Sequence, residues 1–384
     1  MAVVVIILVS VVGYKVWNKK EDEVQFTGNS YIEYVDNQNF MGSMSNIQLA
    51  PNGVYYYADN MIFFYDNNAK LAVPLCNRNN CEHYGDENCN AYFNNAMPEI
   101  YYSNDKLYLV AKNSTSSNTY YLYEISPDGS ERKKGAELFT AEGEYGVTYS
   151  MIVHRGYACY TLDAVSPEVE TVSLYRVKLG SSQSPTEISK MEGYKSYYDH
   201  LKADGDKLYY IKDYKESEAS STTSRKLYVY DLISKEETCI KEDDTISMFI
   251  DGEKIYCTDN ESLYLYDKQN KTSEKLYEFP ESYYQAYMNF DGTNFYLDNY
   301  FYCIFKKKRD FSERSILVVN TLGELVDSIA LNTEEELLFG DSKTMYIQDV
   351  KDREYTKLRS LDKAQLGAEQ KTWETLIDIK VEQD

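Results

Sequence analysis

Residues that serve catalysis and nucleic-acid binding are scarce in this sequence. Its 384 residues include only three histidines, and 40 Lys and Arg stand against 62 Asp and Glu, which gives a formal net charge of −22. Binding the phosphates of a nucleic acid requires clustered basic side chains, so this balance argues against a nucleic-acid partner. A cation, a basic peptide or a neutral glycan is a better match for so acidic a protein.

Recognisable catalytic motifs are missing as well. The sequence contains no Gly-x-Ser-x-Gly, no Gly-rich phosphate-binding loop, no His-Glu-x-x-His and no EF-hand pattern. Two of the histidines, His154 and His200, fall on predicted strands, where a structural role is the more common one. Carboxylates are so abundant that a catalytic pair cannot be distinguished from solvated charge. The sequence therefore identifies no catalytic residue.

The most informative feature that is present is a strand-turn-strand phrase that occurs seven times. Its first and last anchor residues are 288 positions apart in six steps, a mean of 48 residues, which is the period of a β-propeller blade. Residues 46–384 hold seven such repeats. The predicted fold is therefore all-β, a seven-bladed β-propeller of four-stranded antiparallel blades. The anchors are Gly53, Asp105, Gly156, Gly205, Gly252, Gly292 and Asp341.

The repeats also predict the strands and the packing of each blade. The fifth repeat divides into strands at Thr245–Asp251, Lys254–Thr258, Ser262–Asp267 and Ser273–Phe279, with an Asp-Gly turn of positive φ between the first two. Each blade of a propeller packs against both neighbours, so both faces of its strands are buried. We therefore interpret most of the 40 tyrosines as packing residues rather than as platforms for a ligand.

Antiparallel strands place the connections on two faces of the ring, and these faces differ in loop length. Connections from second to third strands, and from one blade to the next, share one face, which we call the long-loop face. Its predicted insertions are 112–118, 163–170, 213–225 and an extended hairpin around Lys306–Arg309. Binding residues are usually carried by loops on a rigid scaffold, so this is the predicted ligand face.

The N-terminal residues predict attachment to a membrane. The sequence divides into a transmembrane signal anchor at 1–17, a polar linker at 18–45 and the propeller at 46–384; no signal-peptide cleavage site follows the apolar stretch. We expect a single-pass protein of the cell membrane with an extracytoplasmic propeller, on the hypothesis that a basic start precedes this methionine. The lysines that follow the apolar stretch favour the alternative, a propeller on the cytoplasmic face.

One cluster has the composition of a metal site. Cys76, Cys81, His83 and Cys89 fall within fourteen residues, in the connection between the first and second repeats. Three thiols and an imidazole are a known ligand set for structural zinc, and so short a loop can wrap a tetrahedral ion. A disulfide among these cysteines is the alternative in an exported chain, and reduced thiols without a metal are the third. The other cysteines are expected to be buried, inert members of strands: Cys159, Cys239, Cys257 and Cys303.

The cysteine loop and the strand phrases together resemble a family. Pro74-Leu-Cys76, Cys81-x-His83 and Cys89-Asn-Ala-Tyr92, with the Lys-Leu-Tyr and Leu-Tyr-x-Tyr-Asp strands, resemble uncharacterised propeller proteins of low-GC Gram-positive bacteria. Those proteins are membrane-anchored or secreted, and they are often described as similar to the propeller of the prolow-density-lipoprotein receptor. The resemblance implies an anchored, extracytoplasmic propeller and brings no established activity. The receptor's Tyr-Trp-Thr-Asp signature is missing here.

These observations favour a binding module over an enzyme. The leading prediction is a monomeric, membrane-anchored propeller that binds a protein or a cell-envelope ligand on its long-loop face. One alternative is an envelope enzyme that acts on a glycan with acidic residues around the central channel. The other is a structural or assembly factor.

Overall fold

The computed structural model describes residues 46–379 except 84, 86–87, 115, 142–148, 166–169, 194–196, 216–222, 243–244, 285, 306 and 352–353. The predicted signal anchor and polar linker lie outside the described residues. Among the helices that the described ranges contain, none has the length and apolar character that a membrane crossing requires.

The described part of the chain contains seven antiparallel sheets, and each is made of four strands that are consecutive in sequence. This confirms the predicted seven-bladed β-propeller of four-stranded blades. Blades 1 to 4 are formed by β1 Ile47–Ala50, β2 Gly53–Ala58, β3 Met61–Asp66, β4 Leu71–Pro74; β5 Ala96–Ser103, β6 Lys106–Lys112, β7 Thr119–Ile125, β8 Arg132–Thr140; β9 Tyr149–His154, β10 Tyr157–Val165, β11 Glu170–Lys178, β12 Thr186–Gly193; β13 Tyr197–Asp204, β14 Lys207–Tyr214, β15 Ser224–Asp231 and β16 Glu237–Lys241. Blades 5 to 7 are formed by β17 Ser247–Asp251, β18 Lys254–Thr258, β19 Ser262–Asp267, β20 Thr272–Glu278; β21 Tyr287–Phe290, β22 Asn294–Asp298, β23 Ser315–Asn320, β24 Leu325–Ala330; β25 Glu335–Gly340, β26 Thr344–Lys351, β27 Glu354–Asp362 and β28 Glu374–Asp378.

The core lies between the blades. The first strands of blades 1 to 5 contact one another in turn, which places the first strand of a blade at the inside of the ring. Seven hydrophobic clusters fill the seven interfaces between neighbouring blades. Successive side chains of one strand enter different clusters: Tyr209 packs against blade 5 and Tyr210 against blade 3. Both tyrosines are fully buried, as the packing interpretation predicts.

In the part of the chain that the structure describes, the ring closes without a shared strand, because blade 7 contains four strands of its own. Side chains hold the junction between blades 7 and 1. Tyr56 and Tyr346 belong to one hydrophobic cluster there. Beside it, the Gln348 Oε1 atom accepts hydrogen bonds from Asn46 Nδ2 at 2.9 Å and from the Tyr56 hydroxyl at 3.1 Å, and Gln348 Nε2 donates to Glu336 Oε2 at 3.0 Å.

The first hairpin of each blade shows which anchor residues are turn residues. Gly205 and Gly252 both have φ of 56° and open two-residue turns, as the sequence predicts. Asn104–Asp105 has positive φ at both residues without a glycine. The anchor Gly53 has no positive φ and begins β2, where an added Cβ would lie 2.0 Å from the Tyr65 carbonyl oxygen. Gly53 is therefore required by close backbone approach, not by a turn.

One predicted element is wrong. In blade 6, helix α1, Tyr300–Phe305, occupies the connection that we expected to be an extended hairpin around Lys306–Arg309. The Asp298 carboxylate accepts a hydrogen bond from the Tyr300 backbone N–H at 3.0 Å, in an Asx turn that leads into the helix. Cys303 is buried on this helix and is not a strand residue. Two 3₁₀ turns, Glu281–Tyr283 and Lys363–Gln365, complete the helical elements of the described part.

Buried ion pairs connect blades to their neighbours near the long-loop face. At the start of β15, Arg225 pairs with Asp213 at the end of β14 and donates from Nε to the Thr245 carbonyl oxygen at 2.9 Å, at the entry to blade 5. Arg314 repeats this arrangement in blade 6. It pairs with Asp298 at 2.9 Å and donates to a backbone carbonyl of β25 at 2.6 Å. Each arginine thus satisfies a carboxylate of its own blade and the backbone of the next.

A buried carboxyl group lies on the first strand of blade 2. Glu99 is 3 % exposed and accepts a hydrogen bond from the Tyr101 hydroxyl. Burial penalises the charged form and raises the Glu99 pKa from its ordinary value to about 7, although the tyrosine hydrogen bond acts in the opposite direction. The register of β5 with β6 is interrupted beside it, between Ala96 and Ile100.

Glu99 should therefore make stability depend on pH. When a carboxyl group has a higher pKa in the folded state than in the unfolded state, the protein becomes less stable as pH rises from the unfolded pKa to the folded pKa. For Glu99 this range is from about 4.5 to about 7. The contribution is on the order of 3 kcal/mol. We expect Glu99→Gln to remove this loss, so that the free energy of unfolding of the variant rises relative to that of the wild type between pH 5 and pH 8. Urea unfolding at the two pH values measures it. If the free energy of unfolding changes equally with pH in both proteins, groups other than Glu99 cause the pH dependence.

A substitution at Gly252 should destabilise the fold through the backbone alone. No atom lies within 4 Å of a Cβ added at this glycine, so any cost comes from its φ of 56°. We expect Gly252→Val to lower the free energy of unfolding by about 1–3 kcal/mol and Gly252→Asn to lower it by less, because Asn tolerates this conformation better. Denaturant unfolding measures both. Equal stability of the valine variant and the wild type would contradict the turn assignment.

Candidate metal centre and the two cavities beside it

The cysteine loop connects β4 to β5 and has little regular structure of its own. Four of its described residues adopt positive φ: Asn80 at 59°, His83 at 64°, Gly85 at 67° and Asn95 at 91°. The chain therefore reverses direction several times within a short distance. Such a loop needs a source of stability other than a sheet ladder.

The structure brings together all four residues that the sequence predicts as metal ligands. One ligand atom from each of Cys76, Cys81, His83 and Cys89 lies within 4.8 Å of the others. The Cys89 Sγ atom is 3.6 Å from His83 Nδ1, and Cys89 is fully buried. Ligand atoms around a tetrahedral zinc ion are about 3.3–3.8 Å apart, given bonds of about 2.0–2.3 Å. The four side chains fit that geometry with a contraction of about 1 Å.

The thiols of the cluster differ in their electrostatics. Burial raises the pKa of Cys89 to about 12. Burial opposes ionisation at Cys76 as well, but hydrogen bonds from the backbone of Arg78 and Asn90 and from the neighbouring thiols leave the Cys76 pKa below its ordinary value. The Cys76 thiol therefore ionises more readily than an ordinary cysteine, and the thiolate is the form that binds a metal ion. All the cysteines are free thiols in this structure, and the disulfide alternative stays a prediction.

The loop contacts both faces of the ring. On the long-loop face, the Phe93 N–H donates to the Asn60 carbonyl oxygen at 2.8 Å, in the second-to-third turn of blade 1. On the other side, the Gly129 carbonyl oxygen accepts from Asn77 N at 3.1 Å and from Asn90 Nδ2 at 2.9 Å, in the third-to-fourth turn of blade 2. The prediction that this connection belongs to the long-loop face is therefore incomplete, because the loop spans the gap between the faces.

A small cavity of about 100 Å³ lies where the loop meets the long-loop face. Tyr92–Asn94 line it from the loop, and Lys112–Ser114 line it from blade 2. Its cations are held by aromatic rings: Arg132 lies 4.9 Å from the Phe93 ring centroid and Lys112 lies 5.3 Å from that of Tyr120. This is a local positive site on an acidic protein.

A larger groove of about 490 Å³ lies at the other end of the loop. Leu75, Cys76 and Asn77 form part of its wall, together with β4 and the short turns of blades 1 and 2. These are first-to-second and third-to-fourth turns, so the groove opens on the face opposite the long loops, here called the short-turn face. Three aspartates, Asp66, Asp105 and Asp128, are among the lining residues, and no lysine or arginine is.

The histidines outside the cluster have structural partners. His154 is 1 % exposed, and its Nε2 atom lies 2.7 Å from the Gly205 carbonyl oxygen of the next blade. His200 lies 3.6 Å from the Asp199 carboxylate, and burial lowers its pKa. Sequence reasoning missed Lys202, which is 2 % exposed, lies 5.0 Å from the Phe249 ring centroid and has a pKa lowered by burial to about 7. No local pattern marks it as buried.

Comparisons with known proteins support the fold. No family model matches the sequence, and no curated protein matches it. Among solved structures, the β-propeller domain of the Trilobed protease from Pyrococcus furiosus, described as having an open velcro topology, is 12 % identical with a TM-score of 0.50; the match covers 89 % of this chain and 99 % of that one. A prolyl endopeptidase is 10 % identical with a TM-score of 0.52. The match covers 85 % of this chain and 48 % of that protein, so this chain spans about half of its length. At these identities the likeness shows the β-propeller fold alone.

The cysteine cluster should retain zinc during purification. We expect about one zinc ion per chain, loss of that ion on Cys89→Ala, and retention in Cys239→Ala, the matched change at a partly exposed cysteine outside the cluster. At free zinc a hundredfold above its Kd, binding stabilises the fold by about 2.7 kcal/mol, so a chelator should lower Tm in the wild type and in Cys239→Ala but not in Cys89→Ala. Elemental analysis and thiol counting in denaturant measure this. Absence of zinc together with two fewer titratable thiols than the seven cysteines of the sequence would indicate the disulfide.

Proposed function

We propose that this protein is a binding module, a β-propeller that captures a protein or cell-envelope ligand on its long-loop face. The observation that carries the proposal is the cavity between Tyr92–Asn94 and Lys112–Ser114. It is formed by two loops of this face on a rigid scaffold, the arrangement in which binding residues are usually found.

The chemistry of this cavity favours an anionic group on the ligand. Lys112 and Arg132 supply positive charge, and Asn94, Asn113 and Ser114 supply polar groups at the rim. The Lys112 ammonium has no carboxylate within 4 Å in the described part of the chain. A carboxylate or phosphate of a protein or envelope polymer would complete its coordination.

The proposed setting is the outer side of a cell membrane. The apolar stretch at 1–17 would anchor the chain in a single pass, and the polar linker at 18–45 would hold the ring clear of the bilayer. The Cys76, Cys81, His83 and Cys89 cluster would bind structural zinc and fix the loop that forms one wall of the cavity.

The proposal is tested with the full chain in detergent. We expect it to capture a defined component from the solubilised envelope fraction of its source, and Lys112→Ala to reduce the yield at least about fivefold, the loss expected for one charged hydrogen bond. Lys268→Ala is the matched control, because this lysine also lies over a tyrosine ring, 5.8 Å from that of Tyr209, but on the short-turn face. Capture that is absent, or equal in all three proteins, contradicts binding at this cavity.

A further inference from the structure

The groove on the short-turn face has the size of a ligand site and is separate from the cavity proposed above. Its volume of about 490 Å³ falls in the range of sites that hold small molecules or short peptide segments. Aromatic rings form its floor: the Tyr55 ring centroid lies 4.8 Å from that of Phe64 and 5.6 Å from that of Tyr102. These rings are fixed in place. The Tyr55 hydroxyl donates to the Pro127 carbonyl oxygen at 3.1 Å, and the Tyr102 hydroxyl donates to Asp105 Oδ1 at 2.8 Å.

The charge around this floor is of one sign. Asp66, Asp105 and Asp128 are spaced around the groove, and none has a lysine or arginine nitrogen within 4 Å in the part of the chain that the structure describes. Hydrogen bonds within their own turns hold two of these carboxylates in place. Asp66 Oδ1 accepts from the backbone of Asn68 at 2.7 Å, and Asp128 Oδ1 accepts from the Ser130 hydroxyl at 2.7 Å.

Hydrogen bonds favour the charged form of two of these carboxylates, and the negative field of the groove reaches the aromatic floor. Hydrogen bonds from the backbone of Ala69 and Asn68 lower the pKa of Asp66, and the Ser130 side chain and backbone lower that of Asp128 to about 2. The pKa of Tyr55 is raised, chiefly by burial and then by the charges of Asp105 and Asp128. A cation in the groove would meet an apolar floor and an uncompensated negative rim.

One wall of the groove is an exposed strand edge. Val73 and Pro74 of β4 line it, and β4 is the last strand of its sheet, so among the described strands it has a neighbour on one side only. Val73 is 44 % exposed, and Leu71, two residues earlier on the same side of the strand, is 59 % exposed. An edge strand with apolar side chains offers backbone groups to an extended peptide.

We propose that this groove binds an extended segment of a partner protein in which Lys or Arg side chains alternate with apolar ones. The basic side chains would pair with the three aspartates. The apolar ones would lie on Phe64 and Val73, beside the edge of β4. This site goes beyond the proposed function, because it lies on the opposite face and takes a ligand group of opposite charge.

The test uses the full chain in detergent and a fluorescent (Lys-Val)₃ peptide, with (Glu-Val)₃ as the charge-reversed probe and spermidine as a small cation. We expect saturable binding of the basic peptide and none of the acidic one. The triple variant Asp66→Asn, Asp105→Asn, Asp128→Asn should weaken binding at least about tenfold, which is about 1.4 kcal/mol. Asn keeps an oxygen for the hydrogen bonds within each turn, and circular dichroism checks that each variant is folded.

A charge-matched triple variant separates the groove from the general negative field of the protein. Asp231→Asn, Asp259→Asn and Asp267→Asn change turn residues whose Oδ1 atoms likewise accept two backbone N–H groups, and none of them lines the groove. This variant should bind the peptide within about twofold of the wild type. Equal weakening in both triple variants, or no saturable binding by the wild type, overturns the proposal.

A second pair of variants tests the wall without altering the aspartates. Val73→Lys places a positive charge on the groove wall and should weaken binding of (Lys-Val)₃ at least about tenfold, whereas Leu325→Lys, at an exposed residue of β24, the last strand of blade 6, should have less than about twofold effect. Binding of spermidine with the affinity of the peptide would overturn the peptide as occupant in favour of a small cation. Envelope capture through Lys112 is measured separately, so failure of either proposal is recognised by itself.

Discussion

Each sheet of this protein buries both of its faces, and this requirement is what forces the chain into a ring. In β2, Tyr55 enters the cluster shared with blade 2, while Tyr56 enters the cluster shared with blade 7. A single blade would leave two apolar faces in water, so no blade is a stable unit and the seven interfaces depend on one another. This dependence matters most at the junction of blades 7 and 1. Within residues 46–379, as far as they are described, no strand crosses it, and hydrophobic packing and the hydrogen bonds of Gln348 hold it closed.

Polar groups inside these interfaces fix how one blade sits on the next. Apolar contacts are not directional, whereas the bonds from Arg225 to Asp213 and to the Thr245 carbonyl oxygen have one geometry. On the other face, Lys363 of blade 7 pairs with Asp291 of blade 6 in a buried position. Removing one partner of such a pair leaves a buried charge uncompensated, which is why a substitution there costs more than the pair contributes.

The sequence was informative where structure is local and periodic. The 48-residue period predicts the seven blades, the Asp-Gly turns hold at Gly205 and Gly252, and the four ligands at Cys76–Cys89 do converge. Elements that depend on partners far along the chain could not be predicted. The groove is assembled from turns of two blades, Lys202 is buried by the next blade, and the aromatic run of α1 has the composition of a strand although it forms a helix. The sequence shows which side chains are charged. Their burial depends on neighbouring residues that the 48-residue repeat does not specify.

The cysteine loop connects the acidic groove with the cationic cavity, although the two differ in charge. Its first residues, Leu75–Asn77, form a wall of the acidic groove, and its last, Tyr92–Asn94, form a wall of the cationic cavity. Cys76 belongs to the first wall, and Cys81, His83 and Cys89 lie between the two walls, on a segment with almost no sheet of its own. A loop of this kind has many conformations of similar energy unless something cross-links it. A metal ion at the cluster would fix both walls at once. The same four side chains would then determine the shape of both proposed sites, whose lining charges are opposite, and a change in one wall would be transmitted to the other.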